Sequence, residues 1–205
     1  MRKLLAIACV LALFVSWCCA SFPRTATAKL DAVQQVMTYD MKTICTAWSP
    51  AKKVWITAYH CGKLMDFKLL VGGLVATRIA DDEKNDLLAL KVDLIADTLP
   101  VARYAPKIGD EVKLYGFPKP WVPTGQHMVF FGHLSNTRVV LQEAFTGPAE
   151  VQTFHAGGGP GTSGGPITGK LDEVIGMVRG GLETPSVVVV STPYEEVRDF
   201  VKKVR

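Results

Sequence analysis

Cysteine is scarce in this chain once its first twenty residues are set aside. Of the five cysteines, Cys9, Cys18 and Cys19 lie in that leader, and only Cys45 and Cys61 follow it. A zinc centre needs three or four ligands. Cys45, Cys61 and His60, with no second close pair, do not supply them, so neither a metal nor a cofactor is called for. Charge clusters are missing as well. The 23 Lys+Arg and 19 Asp+Glu give a net charge of +4. Without Arg2 and Lys3 of the leader the balance is 21 against 19, or +2. The lysines are scattered, which excludes the basic stripe that a nucleic-acid partner requires. Internal repeats and low-complexity tracts are absent too.

What the leader contains is orderly. Arg2 and Lys3 precede an unbroken apolar run over residues 4–15, and Cys18-Cys19-Ala20 offers small residues for cleavage after Ala20. This reads as a signal for export. The alternative is an anchor retained in a membrane, since residues 4–20 are seventeen in number, at the bottom of the spanning range. Two cysteines left in an exported chain suggest one bridge, the alternative being two free buried thiols. Closing its loop contributes about 3 kcal/mol in the chain-entropy account.

Residues 21–42 form an N-terminal segment, a candidate pro-segment, in which 29–39 has the look of a short helix. From 43 onward, short β-rich runs alternate with turn residues. Strands are expected at 43–48, 54–58, 67–71, 74–79 and 87–92. A second set is expected at 111–115, 128–134, 137–142, 151–155, 174–179 and 186–191. Breaks fall at Ser49-Pro50 and Ser135-Asn136 among others. Many short strands at this spacing indicate an all-β barrel or sandwich. Residues 99–109 are the candidate junction between two halves. The end of the chain differs: Thr192-Pro193-Tyr194-Glu195 has the form of a capping box, and Val197, Phe200, Val201 and Val204 recur at helical spacing. A helix is therefore expected over 193–204.

Two segments carry chemistry. One is Gly157-Gly158-Gly159-Pro160-Gly161-Thr162-Ser163-Gly164-Gly165-Pro166, a serine in a glycine-packed turn. Such a turn exposes a hydroxyl and frees neighbouring N–H groups to hold an oxyanion. The other is Thr57-Ala58-Tyr59-His60-Cys61, whose histidine supplies the base a serine lacks at its own pKa. A third group must orient the imidazole. Among the acids between them, Asp86 stands directly before the apolar run Leu87-Leu88-Ala89-Leu90, at the rim of a buried strand. Asp81, Asp82 and Glu83 belong to the more polar loop before it.

His, Asp and Ser in this order and these contexts resemble the chymotrypsin/trypsin-like serine peptidases of compact bacterial or viral type. The likeness covers about 43–204. It implies an all-β fold of two six-stranded antiparallel barrels, about 43–105 and 110–191, followed by the C-terminal helix. It implies a serine endopeptidase acting on polypeptides through His60, Asp86 and Ser163, with Gly161 and Ser163 amides as the oxyanion hole. It also implies a Cys45–Cys61 bridge that staples the histidine loop to a preceding strand. The specificity pocket corresponds to Gly157, Gly158, Gly159, Pro160, Arg179, Gly180 and Gly181. No acid lies on that floor, so a preference for Lys or Arg is not implied. Arg179 reads either as a partner for an acidic substrate residue or as a solvated strand end. Thr162 stands where digestive members carry an aspartate, so activation by a charge pair with a new N-terminus lacks its acceptor. His127, His133 and His155 read as surface or structural residues. A membrane is a partner only if the leader is retained. The alternative to an enzyme is a silent relative that keeps the fold as a binding module.

Overall fold

A computed structural model describes residues 30–119, 127–143, 147–182 and 186–205. The leader, and residues 21–29 of the segment after it, lie outside these. After a 3-10 turn at Leu30–Ala32, strand β1 (Val33–Met37) is followed by β2 (Thr43–Ala51) and β3 (Val54–Ala58). A one-turn helix α1 (Tyr59–Lys63) follows, then β4 (Leu70–Val71), β5 (Leu74–Val75), β6 (Thr77–Asp82) and β7 (Leu87–Lys91). These strands make one sheet in the order β5-β4-β1-β2-β3-β7-β6. The second lobe contains β8 (Glu111–Gly116), β9 (Met128–Glu143), β10 (Gly147–Gly158), β11 (Pro166–Thr168), β12 (Val174–Gly181) and β13 (Ser186–Thr192). They close into a barrel in the order β10-β13-β12-β11-β8-β9. Helix α2 (Tyr194–Val204) ends the chain.

The expected two-lobed all-β architecture is present, with one lobe different in detail. The first lobe is a curled sheet of seven strands whose edges are β5 and β6, rather than a closed barrel of six. It also starts earlier than the sequence pattern indicates. Residues 33–37 are a strand paired to both β2 and β4, where a helix was expected. The central Gln34 and Gln35 hid the alternation, because their side chains are only half-buried. At two expected breaks the strand runs on but its register shifts: β2 at Ser49-Pro50 and β9 at Ser135-Asn136. Asn136 is held in the ladder, where its Nδ2 donates to Thr153 Oγ1 of β10 at 3.1 Å.

Strands whose chemistry is unambiguous form as their patterns require. Leu87 to Leu90 are all fully buried, as suits a strand flanked by β3 and β6. In β8, Val112, Leu114 and Gly116 turn inward while the residues between them face outward. Helix α2 joins the two cores. Tyr194 enters the barrel core, whereas Val197, Phe200 and Val201 pack with Trp48, Trp55 and Leu90 of the first sheet. Its start is not the expected capping box. Pro193 occupies the cap position with extended backbone (φ −58°, ψ 152°) and makes no side-chain cap. Thr192 Oγ1 instead donates to the Asn85 carbonyl at 2.7 Å, fastening the turn before Asp86.

Candidate active site

His60 sits in α1, where the chain leaves β3. Its backbone N–H donates to Asp86 Oδ1 at 2.9 Å, and its ring Nδ1 lies 2.8 Å from Asp86 Oδ2. The Tyr59 N–H donates to the Asp86 carbonyl at 3.1 Å. One aspartate thus grips the whole histidine turn. An ionised carboxylate only accepts, so Nδ1 carries the ring proton and Nε2 is left as the basic nitrogen. Asp86 is 2% exposed and has φ +56°, a conformation that aspartate tolerates better than most residues. That backbone is held from outside: Asp82 accepts from Asn85 N–H and Nδ2 at 3.1 and 2.8 Å. Such over-determination is what keeps a costly backbone state populated.

The serine turn is built mostly from backbone. Thr162 N–H and Oγ1 both donate to the Gly159 carbonyl, at 3.1 and 2.8 Å. Gly165 N–H donates to the Thr162 carbonyl at 2.9 Å, and Gly164 N–H to Val178 of β12 at 2.7 Å. Gly161 and Gly164 have φ +100° and +82°, where a side chain is strained. A Cβ at Gly161 would also collide with the Phe117 carbonyl, and one at Gly164 with the Thr46 carbonyl and Thr57. In a trans peptide the C=O and N–H point in opposite directions. The Pro160 carbonyl accepts from Lys119 N–H at 2.6 Å, so the Gly161 N–H faces the other way. The Thr162 carbonyl is taken by Gly165, so the Ser163 N–H also faces away from its partner. Among the described residues, neither amide has a hydrogen-bond acceptor.

Thr46 of β2 holds the two arms together, and nothing in the sequence singles it out. Its N–H donates to the Ser163 carbonyl at 2.8 Å. Its hydroxyl donates to the Gly161 carbonyl at 2.8 Å and accepts from Phe117 N–H at 3.0 Å. Thr57 Oγ1 in turn donates to the Thr46 carbonyl at 2.7 Å. The neighbouring residue Cys45 is bonded to Cys61, next to His60. One residue and one disulfide therefore tie the serine turn to the histidine turn. Cys45, Cys61 and His60 also bring three ligand-type atoms within 4.8 Å of one another. The two sulfurs are joined in the disulfide, which leaves no thiolate to bind a metal.

Beside Ser163 lies a cavity of about 150 Å³, lined by Gly158, Gly159, Pro160, Thr162, Ser163, Gly180, Gly181 and Val189. Gly157, expected here, instead abuts Phe130, which a Cβ would approach to 2.8 Å. Arg179 does not line the cavity either. Its side chain is 3% exposed, with Nε 4.0 Å from Asp86 Oδ2. The solvated strand-end reading of Arg179 is therefore corrected: the side chain is buried behind the His60–Asp86 pair. Its backbone carbonyl accepts from Ser163 Oγ at 3.2 Å.

No protein-family model and no curated protein matches the sequence. Solved structures do. The Rv3671c protease of M. tuberculosis in its active form superposes with a TM-score of 0.69 at 19% identity, covering 86% of this chain and 82% of that one. The protease domain of MamO from Magnetospirillum magneticum gives 0.70 at 14%, covering 85% and 97%. The HtrA-type protease AlgW, solved with a decapeptide, gives 0.71 at 16%, covering 87% of this chain and 65% of that one. These likenesses establish the fold, which is that of the trypsin-like serine proteases.

Proposed function

We propose that this chain is a serine-type endopeptidase. The observation that carries the reading is the buried Asp86–His60 pair, bound at 2.8 Å, on a turn that the Cys45–Cys61 bridge and Thr46 tie to Ser163. His60 Nε2 takes the proton of Ser163 as Oγ attacks the scissile carbonyl, forming the C–O bond. The oxyanion is held by the N–H groups of Gly161 and Ser163. His60 then gives its proton to the departing amine as the C–N bond breaks. Water, activated by the same imidazole, releases the acyl group and restores Ser163. In the resting geometry Ser163 Oγ donates to the Arg179 carbonyl, and the mechanism requires rotation about its Cα–Cβ bond toward the imidazole. Catalytic hydrogen bonds are often unformed without substrate.

The cavity next to Ser163 supports a preference for a small uncharged side chain. Glycines form half of its lining, and no charged residue lines it. Export, with the leader removed, fits the disulfide; a retained leader as membrane anchor is the alternative. Among the described residues, no helix is long and apolar enough to cross a membrane.

The bond from Ser163 to Arg179 also favours a second reading, a silent binding module with the hydroxyl parked. A fluorophosphonate separates the two. An active enzyme becomes labelled on Ser163 and loses labelling in Ser163→Ala. Folded wild-type protein that resists the reagent would reject the peptidase reading. Profiling the cleavage of a mixed peptide library then reads the pocket preference.

A further inference from the structure

The outer face of the second barrel carries a row of side chains of metal-ligating type that the peptidase chemistry does not use. Glu111 of β8 is paired directly with His133 of β9, and His133 is paired directly with His155 of β10. Residues directly opposite in an antiparallel sheet share one face, with Cβ atoms about 4.5–5.5 Å apart. All three residues are exposed. Their neighbours Val112, Leu134 and Phe154 point into the barrel core, which fixes the outward direction of the row. The sequence separates the two histidines too widely to suggest a pair; the register of β9 against β10 creates it.

The two rings already stand at chelating distance. Their centroids are 5.4 Å apart and their planes are inclined at 55°, so the rings are not stacked. Two imidazoles bound through one nitrogen each to a tetrahedral ion, at about 2.1 Å, place their centres about 5.2 Å apart. Among the described residues, neither ring makes a hydrogen bond or an ion pair. Glu111, exposed and directly opposite His133, would supply the third ligand by rotation of its side chain. Two imidazoles, one carboxylate and a water complete a tetrahedral set suited to a borderline transition-metal ion.

We propose that Glu111, His133 and His155 form a binding site for one divalent transition-metal ion, of which Zn²⁺ is the representative. The ion would clamp three adjacent strands of the barrel. It would sit on the same strand as Gly158, which lines the cavity beside Ser163. The site is independent of the proposed peptidase activity and is tested without it.

Titration of the purified chain with ZnCl₂ in a calorimeter should show saturable binding of one ion per chain. Co²⁺ in its place should produce the visible absorption of a tetrahedral centre. Loss of an outer-shell partner alone typically weakens metal binding 10–100-fold. His133→Asn or His155→Asn, which remove ligands at exposed positions, should therefore weaken Zn²⁺ by at least about tenfold. Glu111→Gln should cost less, and His127→Asn should leave binding unchanged. Added Zn²⁺ should raise the melting temperature of the wild type but not of the His133→Asn/His155→Asn double variant. Absence of saturable binding, or a double variant that binds Zn²⁺ as the wild type does, would overturn the proposal.

Discussion

Thr46→Val tests whether one buried hydroxyl holds the two lobes in working register. Thr46 is fully buried, and its Oγ1 serves two backbone groups at once, the Gly161 carbonyl at 2.8 Å and the Phe117 N–H at 3.0 Å. Valine keeps the shape and strands both groups. Each buried polar group left without a partner costs about 1–3 kcal/mol. Allowing partial relaxation, the expected loss is about 3 kcal/mol, half the sum of the two upper limits. For a domain of this size about 2–4 °C of melting temperature is lost per kcal/mol, so Tm should fall by about 6–12 °C. The second consequence is local. Gly161 loses the anchor on its carbonyl, and its N–H is a proposed oxyanion donor. Displacing one such donor lowers kcat by about 10²–10³. Fluorophosphonate labelling should slow by a similar factor at temperatures where the variant is folded. Thr46→Ser retains the hydroxyl and should recover most of both properties. A Thr46→Val protein that melts within about 2 °C of wild type would refute the packing argument. One that melts low yet is labelled at the wild-type rate would refute the link to Gly161.

Other perturbations probe the remaining parts. Asp86→Asn should lower turnover by about four orders of magnitude, because an amide no longer selects the Nδ1–H tautomer; intact turnover with a folded protein would move the orienting role elsewhere. Asparagine tolerates the positive φ of +56° at that position, so circular dichroism should be unchanged. Replacing Cys45 and Cys61 by serine should cost about 3 kcal/mol in denaturant titrations and expose the His60 turn to faster hydrogen exchange; no change in either would show the bridge to be idle. Tyr104 donates its hydroxyl to the buried Glu173 carboxylate, so Tyr104→Phe should destabilise the fold by about 2 kcal/mol. That carboxylate raises the Tyr104 phenol above its ordinary value, so the bond stabilises the fold fully below the usual tyrosine range. The contribution fades as pH climbs through the raised folded value, and Tyr104→Phe should lose this alkaline dependence.

The parts of this protein that were legible in sequence are those whose chemistry is local. Leu87 to Leu90 announce a buried strand by themselves, and the 3.6-residue spacing of Val197, Phe200 and Val201 announces a helix. The glycine-packed serine turn is equally local, because positive φ at Gly161 and Gly164 is a demand that only glycine meets without strain. What the tertiary structure alone decided involves pairs of residues brought together by strand order and register. β1, with Gln34 and Gln35 at its centre, became a strand because β2 and β4 supply its backbone partners, which overrides a weak side-chain pattern. The Ser135-Asn136 turn signal became a register shift within the β9–β10 ladder for the same reason. Thr46 became a lock, Arg179 a buried neighbour of Asp86, and His133 the partner of His155 only when distant strands came together. Composition and periodicity report how one segment meets water. Which segments meet each other is set by hydrogen-bond register and closure of the sheets, and those contacts join residues up to a hundred positions or more apart.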